Sequence, residues 1–348
     1  MSFRFFRRVK IAPGLSLNFS KSGMSLSAGP RGAKVTVGPR GVRTTVGLPG
    51  TGLYYTETSH TPKVSARRSA ASAAPPPVPA PDAGQRLTLG FFKRLVVPAE
   101  EQALVDGLHD WLAGNSETAL AHLRQADHLP DAALVAGMLA VNMKDMVAAE
   151  GYLRTAFINA DKLGTYFNKY GIMVSLTLSI TNEMMVPLHP DLRGAGLAYV
   201  EVLQRLKKWA EAIACLKRLW EADAKDPVVT LSLVELYMDA RTEDKETNRQ
   251  ILNLTEAFTN ESPLHAALLL YRARAMRTLG LPDAARETLS AALKKTKGCR
   301  PDLLHALRYE RALVYDELGQ QARARKDLET LYAEDPGYED VAARLGLK

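Results

Sequence analysis

Residues 308–336 read RYERALVYDELGQQARARKDLETLYAEDP, and this stretch sets the register for most of the chain. Two amphipathic helical patterns meet at a turn on Gly319. On the first, Ala312 and Tyr315 share a face, with Leu318 behind Tyr315. On the second, Ala324, Leu328 and Leu331 form the i, i+4, i+7 stripe of a buried helix face. Pro336 closes the unit, because a fixed φ and a missing N–H stop a helix from continuing.

Spaced as Ala312-x2-Tyr315, Ala324-x3-Leu328 and Pro336, these residues resemble the tetratricopeptide repeat, a helix–turn–helix unit of about 34 residues. Such a unit cannot bury its apolar face alone and needs stacked neighbours. Working back from it, Gly107, Ala119, Leu123 and Ala126 occupy the same positions, as do Gly137, Ala140, Ala149, Leu153 and Ala156. Val200, Leu203, Ala212, Leu216 and Leu219 form a third unit; Ala273, Met276, Ala285, Leu289 and Ala292 form a fifth. A degenerate fourth, residues 228–240 with 247–258, fills the gap between them. Residues 338–345 read as a capping helix that shields the last apolar face. Residues 87–98 lead into this body.

One interval is too long for the repeat. Between Gly137 and Val200 the β-branched, partly alternating residues 170–180 are followed by Thr181-Asn182-Glu183 and by Met184-Met185-Val186-Pro187-Leu188. This predicts a β-hairpin inserted at about residues 170–190; a long irregular helix is the alternative. Insertions of this kind map to loops on one face of a solenoid and are candidate contact elements.

The head is different. Residues 24–50 repeat every nine as MSLSAGPRG, AKVTVGPRG and VRTTVGLPG. Each repeat is five strand-like residues followed by a Gly/Pro turn. With residues 3–11, 15–19 and 53–56 they predict a six-stranded antiparallel meander; a short β-solenoid fits the same period. Leu17-Asn18-Phe19-Ser20-Lys21-Ser22-Gly23, the GPRG turns and Leu48-Pro49-Gly50-Thr51-Gly52-Leu53-Tyr54-Tyr55 resemble, over residues 2–57, a small domain of unknown function that opens many bacterial proteins. The resemblance implies a bacterial origin and brings no catalytic residue and no ligand. Between head and body, residues 59–86 are rich in Pro, Ala and Ser and read as a flexible tether. The fold class is thus α+β multidomain: an all-β domain at 1–58, a linker at 59–86 and an all-α tetratricopeptide-like superhelix at 87–348.

The net charge of +7 is unevenly spread. Residues 1–68 hold twelve Lys or Arg against one acid, Glu57, a net +11, and the rest of the chain carries −4. A basic head on an acidic body points to an anionic partner for the head: nucleic acid, a membrane surface or an acidic protein. Arg31, Lys34, Arg40 and Arg43 are its candidate contacts, while edge pairing of the sheet would make a homo-oligomer. The two cysteines, Cys215 and Cys299, both in helical patterns, suit a reducing cytoplasm. The basic start is not followed by an apolar run, so a signal peptide is not expected, and no run of about 18 apolar residues occurs, so no membrane span is expected.

Chemistry is sparse. The seven histidines show no metal-ligand spacing, and no nucleophile or phosphate-loop motif is present, so a non-enzyme without cofactor is expected. The tetratricopeptide resemblance implies a peptide-binding groove lined by the first helix of each pair. By register its positions are Leu104, Leu108 and Trp111; Leu134, Met138 and Val141; Leu197, Glu201 and Gln204; Leu270, Arg274 and Arg277; and Tyr309, Leu313 and Asp316. The near end is expected to be apolar and the far end polar, with Arg274 and Arg277 able to hold a carboxylate. The expected function is that of an adaptor or scaffold holding a protein or peptide in this groove. The alternative is a nucleic-acid or anionic-membrane binder acting through the head.

Overall fold

The helix starts are written in the sequence. Pro130, Pro263, Pro282 and Pro301 each stand at a first helical position, where the missing N–H costs nothing. Asp145, Asp191 and Asp244 accept the free N–H groups of Ala148, of Gly194 and of Glu246 with Thr247. A computed structural model describes residues 97–170, 172, 176–179, 185–241 and 244–347, together with strand backbone at 10–11, 15–20, 23–28, 33–38, 41–47 and 54–59.

The helices run in pairs. They are α1 (Ala99–Leu112) and α2 (Ser116–Arg124), α3 (Pro130–Asn142) and α4 (Met146–Ile158). After a short α5 (Thr165–Lys169) come α6 (Leu192–Arg205) and α7 (Trp209–Ala222), then α8 (Pro227–Arg241) and α9 (Lys245–Thr255). Next are α10 (Pro263–Thr278) with α11 (Pro282–Ala292) and α12 (Pro301–Glu317) with α13 (Gln321–Glu334). The expected cap is helical only over α14 (Val341–Arg344). The body is a helical-repeat stack. No helix among the described residues is long and apolar enough to cross a membrane.

One ruler measures every pair. A small residue on the first helix is followed twelve residues later by a buried Ala and sixteen later by a buried Leu. These are Gly107/Ala119/Leu123, Gly137/Ala149/Leu153, Val200/Ala212/Leu216, Ala273/Ala285/Leu289 and Ala312/Ala324/Leu328. Seven residues after the small position the backbone is left-handed in each of these five turns: Gly114, Lys144, Lys207, Gly280 and Gly319. The degenerate pair keeps the count with other residues, Glu235, Thr247 and Ile251, all buried.

The chain divides into two compact units, residues 8–208 and a second containing 209–348. In the first, α1 packs on α2, α3 on α4, and α4 on α6. Between α4 and α6 lie a 3₁₀ turn, Ala160–Lys162, then α5, then β7 (Leu176–Ser179) paired antiparallel with β8 (Met185–Leu188). Tyr170, read as the start of a strand, instead ends α5. In the head, β2 (Leu15–Ser20), β3 (Gly23–Ala28), β4 (Ala33–Gly38), β5 (Gly41–Gly47) and β6 (Tyr54–Ser59) each pair antiparallel with the next. Of the expected first strand at 3–11, residues 3–9 lie outside the described residues and Lys10–Ile11 form β1. It pairs with β7, not with β2, through Lys10↔Ser179 and Ile11↔Leu178. Pro187 sits in β8, the other edge of that three-stranded sheet, where a missing N–H discourages further pairing.

In the second unit α8 packs on α9 and α10, α10 on α11, and α12 on α13. The stack ends on a cluster of Ala312, Leu328, Leu331 and Val341, against which Tyr309, Tyr332, Tyr338 and Leu345 pack.

Candidate functional site

The register assigns the first helices a common face, and the two units treat that face differently. In the first unit it is closed. Leu104, Leu108, Leu134, Met138, Val141, Leu197 and Glu201 are all buried, so the expected open, apolar near end is not there. Met138 and Glu201, read as partner contacts, are 1% and 2% exposed and reach no solvent. Trp111 and Gln204 keep part of their surface. Register carries no information about whether other chain lies on a face.

Here other chain does. Asp131, fully buried, stands six residues before Gly137, and its carboxylate accepts the N–H groups of Gly164, Tyr166 and Phe167 at 2.6, 2.7 and 3.0 Å. Glu101, six before Gly107, occupies the equivalent place one repeat earlier and accepts from Lys169 Nζ and the Tyr170 hydroxyl. A segment held at the same position of two successive repeats runs along their shared face. Burial pushes the Asp131 carboxyl up, and the three N–H donors offset this only in part. Burial acts the same way on Glu101, but hydrogen bonds from Lys169 and Tyr170 outweigh it and hold that carboxyl below its usual value. Burial and the Glu101 carboxylate push the Tyr170 phenol up. Phe167, 2% exposed, anchors the segment.

In the second unit the same face is a ladder of charges. The Tyr271 hydroxyl on α10 donates to Glu235 on α8 at 2.8 Å, and the Arg274 guanidinium lies 5.7 Å from the Tyr271 ring centroid. Arg274 Nε donates to Glu310 on α12 at 3.0 Å, and Arg277 Nε stands 2.8 Å from the other Glu310 oxygen. Arg277 reaches on to Glu317 at 3.1 Å. Asp316 pairs with Arg344 at 3.3 Å, Arg344 with Asp340 at 2.9 Å, and the Tyr309 hydroxyl donates to Asp340 at 2.6 Å. Burial and Asp340 together raise the Tyr309 phenol to about 12.

Arg274 and Arg277 hold the carboxylate of Glu310 from the next pair. Tyr309 and Asp316 pair with Asp340 and Arg344 at the end of the stack. Side chains at the outer end of the ladder keep water contact: Glu317 is 44% exposed and Asp340 49%. Lys34 and Arg43 lie in β4 and β5, where Lys34 pairs with Thr45 and Arg43 with Thr36; Arg31 and Arg40 lie outside the described residues. Among the described residues no group of three or more His, Cys, Asp or Glu could hold a metal ion.

Sequence reasoning missed Glu101, Asp131, Glu235 and Glu310. A signal was present for the first two: counting back six from Gly107 and from Gly137 finds an acid each time, near the start of a helix where an isolated one would read as ordinary helix-end charge.

Residues 3–56 match a family described as a protein of unknown function, DUF4236. No curated protein matches the chain. Among solved structures, the chain is similar to the N-terminal domain of the EccA1 ATPase from the ESX-1 secretion system of Mycobacterium tuberculosis, at 16% identity over 71% of this chain and 88% of that one, with a TM-score of 0.44. It is also similar to a tetratricopeptide repeat protein from Parabacteroides merdae, at 16% identity over 76% and 90% of the two chains, with a TM-score of 0.33. A third is a thermophilic TPR protein in Thermus thermophilus, at 17% identity over 71% and 97%, with a TM-score of 0.21.

Proposed function

We propose that this protein is a non-enzymatic, cytoplasmic scaffold of bacterial origin. In this reading its tetratricopeptide-like body holds a protein or peptide partner, and its basic β-meander head, on the linker at 59–86, contacts a second one. The observation that supports it most is the ladder on α8, α10 and α12. One face recurs from pair to pair while its side chains change, and at its outer end Glu317, Asp316, Asp340 and Arg344 remain partly exposed and can exchange internal pairs for a partner's. A mixed-charge, tyrosine-bearing face of this kind suits a polar peptide better than an apolar one.

The test is a nuclease-treated pull-down with the full chain from native-host extract. A protein retained at high salt, lost with Asp316→Lys and Glu317→Lys and kept when Arg31, Arg40 and Arg43 are changed to Gln, supports the scaffold reading. The charge of +11 over residues 1–68 favours a second reading, a head that binds nucleic acid or an anionic membrane. Material bound that way leaves steeply as salt rises and is lost with the Arg-to-Gln variant. Self-association through sheet edges would instead show as concentration-dependent sedimentation of the full chain.

A further inference from the structure

We propose that the shared face of the first two helix pairs is a segment-binding site that this chain fills with its own residues 164–170, and that the segment leaves to admit a partner of the same chemistry. The proposal deepens the scaffold reading above and rests on it.

The site is built from equivalent positions. Asp131 takes three N–H groups at the start of α5, and Glu101 takes an ammonium and a phenol at its end. The segment thus runs from the second repeat back towards the first, with Phe167 buried between its two polar anchors. These contacts define the ligand: a helix start that offers free N–H groups to one carboxylate, an aromatic side chain at its third helical position, then a basic residue followed by tyrosine. α5 has five residues, far below the length at which a helix holds itself together in water. It is helical because Asp131 caps it, so leaving the site and unfolding are one event, and its return refolds it. The segment lies in the insertion between α4 and α6, outside the helix pairs. With the segment docked, Leu104, Leu108, Leu134 and Met138 on the same two first helices are buried.

The probe is a fluorescent synthetic peptide of residues 162–171, titrated into the full chain. Against wild type it must compete with the tethered copy and should bind weakly. Against Lys169→Ala/Tyr170→Phe, which frees Glu101, it should bind at least about tenfold tighter, in line with the loss of hydrogen bonds to a charged group. The gain should vanish for a peptide with alanine in place of Phe167. A variant that keeps the wild-type circular dichroism and cooperative melt but binds the peptide no better than wild type overturns the proposal. Should that variant fail to fold, hydrogen exchange on the wild type decides: the Tyr166 and Phe167 amides must exchange through an opening that leaves α4 protected. If they exchange only with α4, by global unfolding, the segment is fixed structure and the proposal fails. The peptide assay reads the near face directly, so it stands or falls whether or not the extract yields a partner for the outer ladder.

Discussion

A Cβ added to Gly137 would stand 2.6 Å from Cγ of Leu153, and one on Gly107 would stand 2.7 Å from Cγ of Leu123. Both leucines are fully buried and sixteen residues downstream, so these two helix pairs close at their small-residue positions. In the last two pairs the position is a buried alanine, Ala273 or Ala312.

This contact decides the sign of a substitution that helix propensity alone would get wrong. Alanine in a helix interior is better than glycine by about 1 kcal/mol, but forcing a methyl into a packed seam costs about 1–3 kcal/mol. Rotation of the Leu153 side chain would not fully clear the site, because its backbone N also stands 3.3 Å from the added atom. Gly137→Ala should therefore lower the urea midpoint, with a net loss of about 1 kcal/mol. An unchanged or raised midpoint would show that α3 and α4 separate freely.

The turn between paired helices needs a left-handed residue, and two lysines supply it. Lys144 has φ 65° and Lys207 φ 60°, where Gly114, Gly280 and Gly319 stand in the other turns. A side chain in that region costs about 1–2 kcal/mol, against about 0.5–1 kcal/mol of extra chain entropy lost by glycine. Lys144→Gly and Lys207→Gly should each stabilise the fold by up to about 1 kcal/mol. Gly280→Lys should do the reverse, and thermal melts of the three variants would check both directions.

These positions also show what could be read beforehand. Gly319 was visible as a turn, and counting in register from it reaches Gly280 and Gly114 directly, but at Lys144 and Lys207 residue type hides a backbone state that position alone reveals. The fourth pair reads as degenerate for a similar reason: its small-residue position holds Glu235, made tolerable by the Tyr271 hydroxyl from the next pair. The buried stripes were legible because burial follows from periodicity within one helix. The occupant of Glu101 and Asp131 was not, because residues 164–170 reach them from far along the chain.

Glu310 should be the costliest charge in the second unit to remove. Its side chain is 4% exposed and lies against two guanidinium groups, Arg274 and Arg277. Glu310→Ala would leave both cations partly buried without their shared carboxylate, a loss of about 3–5 kcal/mol for a buried network. Arg325→Ala breaks an i, i+4 pair with Glu329 in which both side chains are more than half exposed, and should change stability by less than about 0.5 kcal/mol. Chemical denaturation of both variants compares them directly. Equal effects would mean that the ladder on α10 and α12 is as solvated as an ordinary surface pair.

Glu201 gives the first unit a pH dependence of its own. Burial lifts its carboxyl from 4.5 to about 7, against the pull of Arg205, whose Nε donates to it at 2.6 Å. A folded-state value above the unfolded one means the folded chain binds the proton more tightly. The stability this group contributes is complete below its unfolded value and is lost as pH rises through 7. The displacement corresponds to something on the order of 3 kcal/mol. Wild type should therefore melt progressively lower between about pH 5 and about pH 8. Glu201→Gln keeps an acceptor for Arg205 but cannot ionise, so its melting temperature should vary less over that window and exceed the wild type's at the alkaline end. Parallel curves for the two proteins would place the ionisation elsewhere. They would also mean that Glu201, at 2% exposure, is fully paired as a carboxylate by the Arg205 guanidinium.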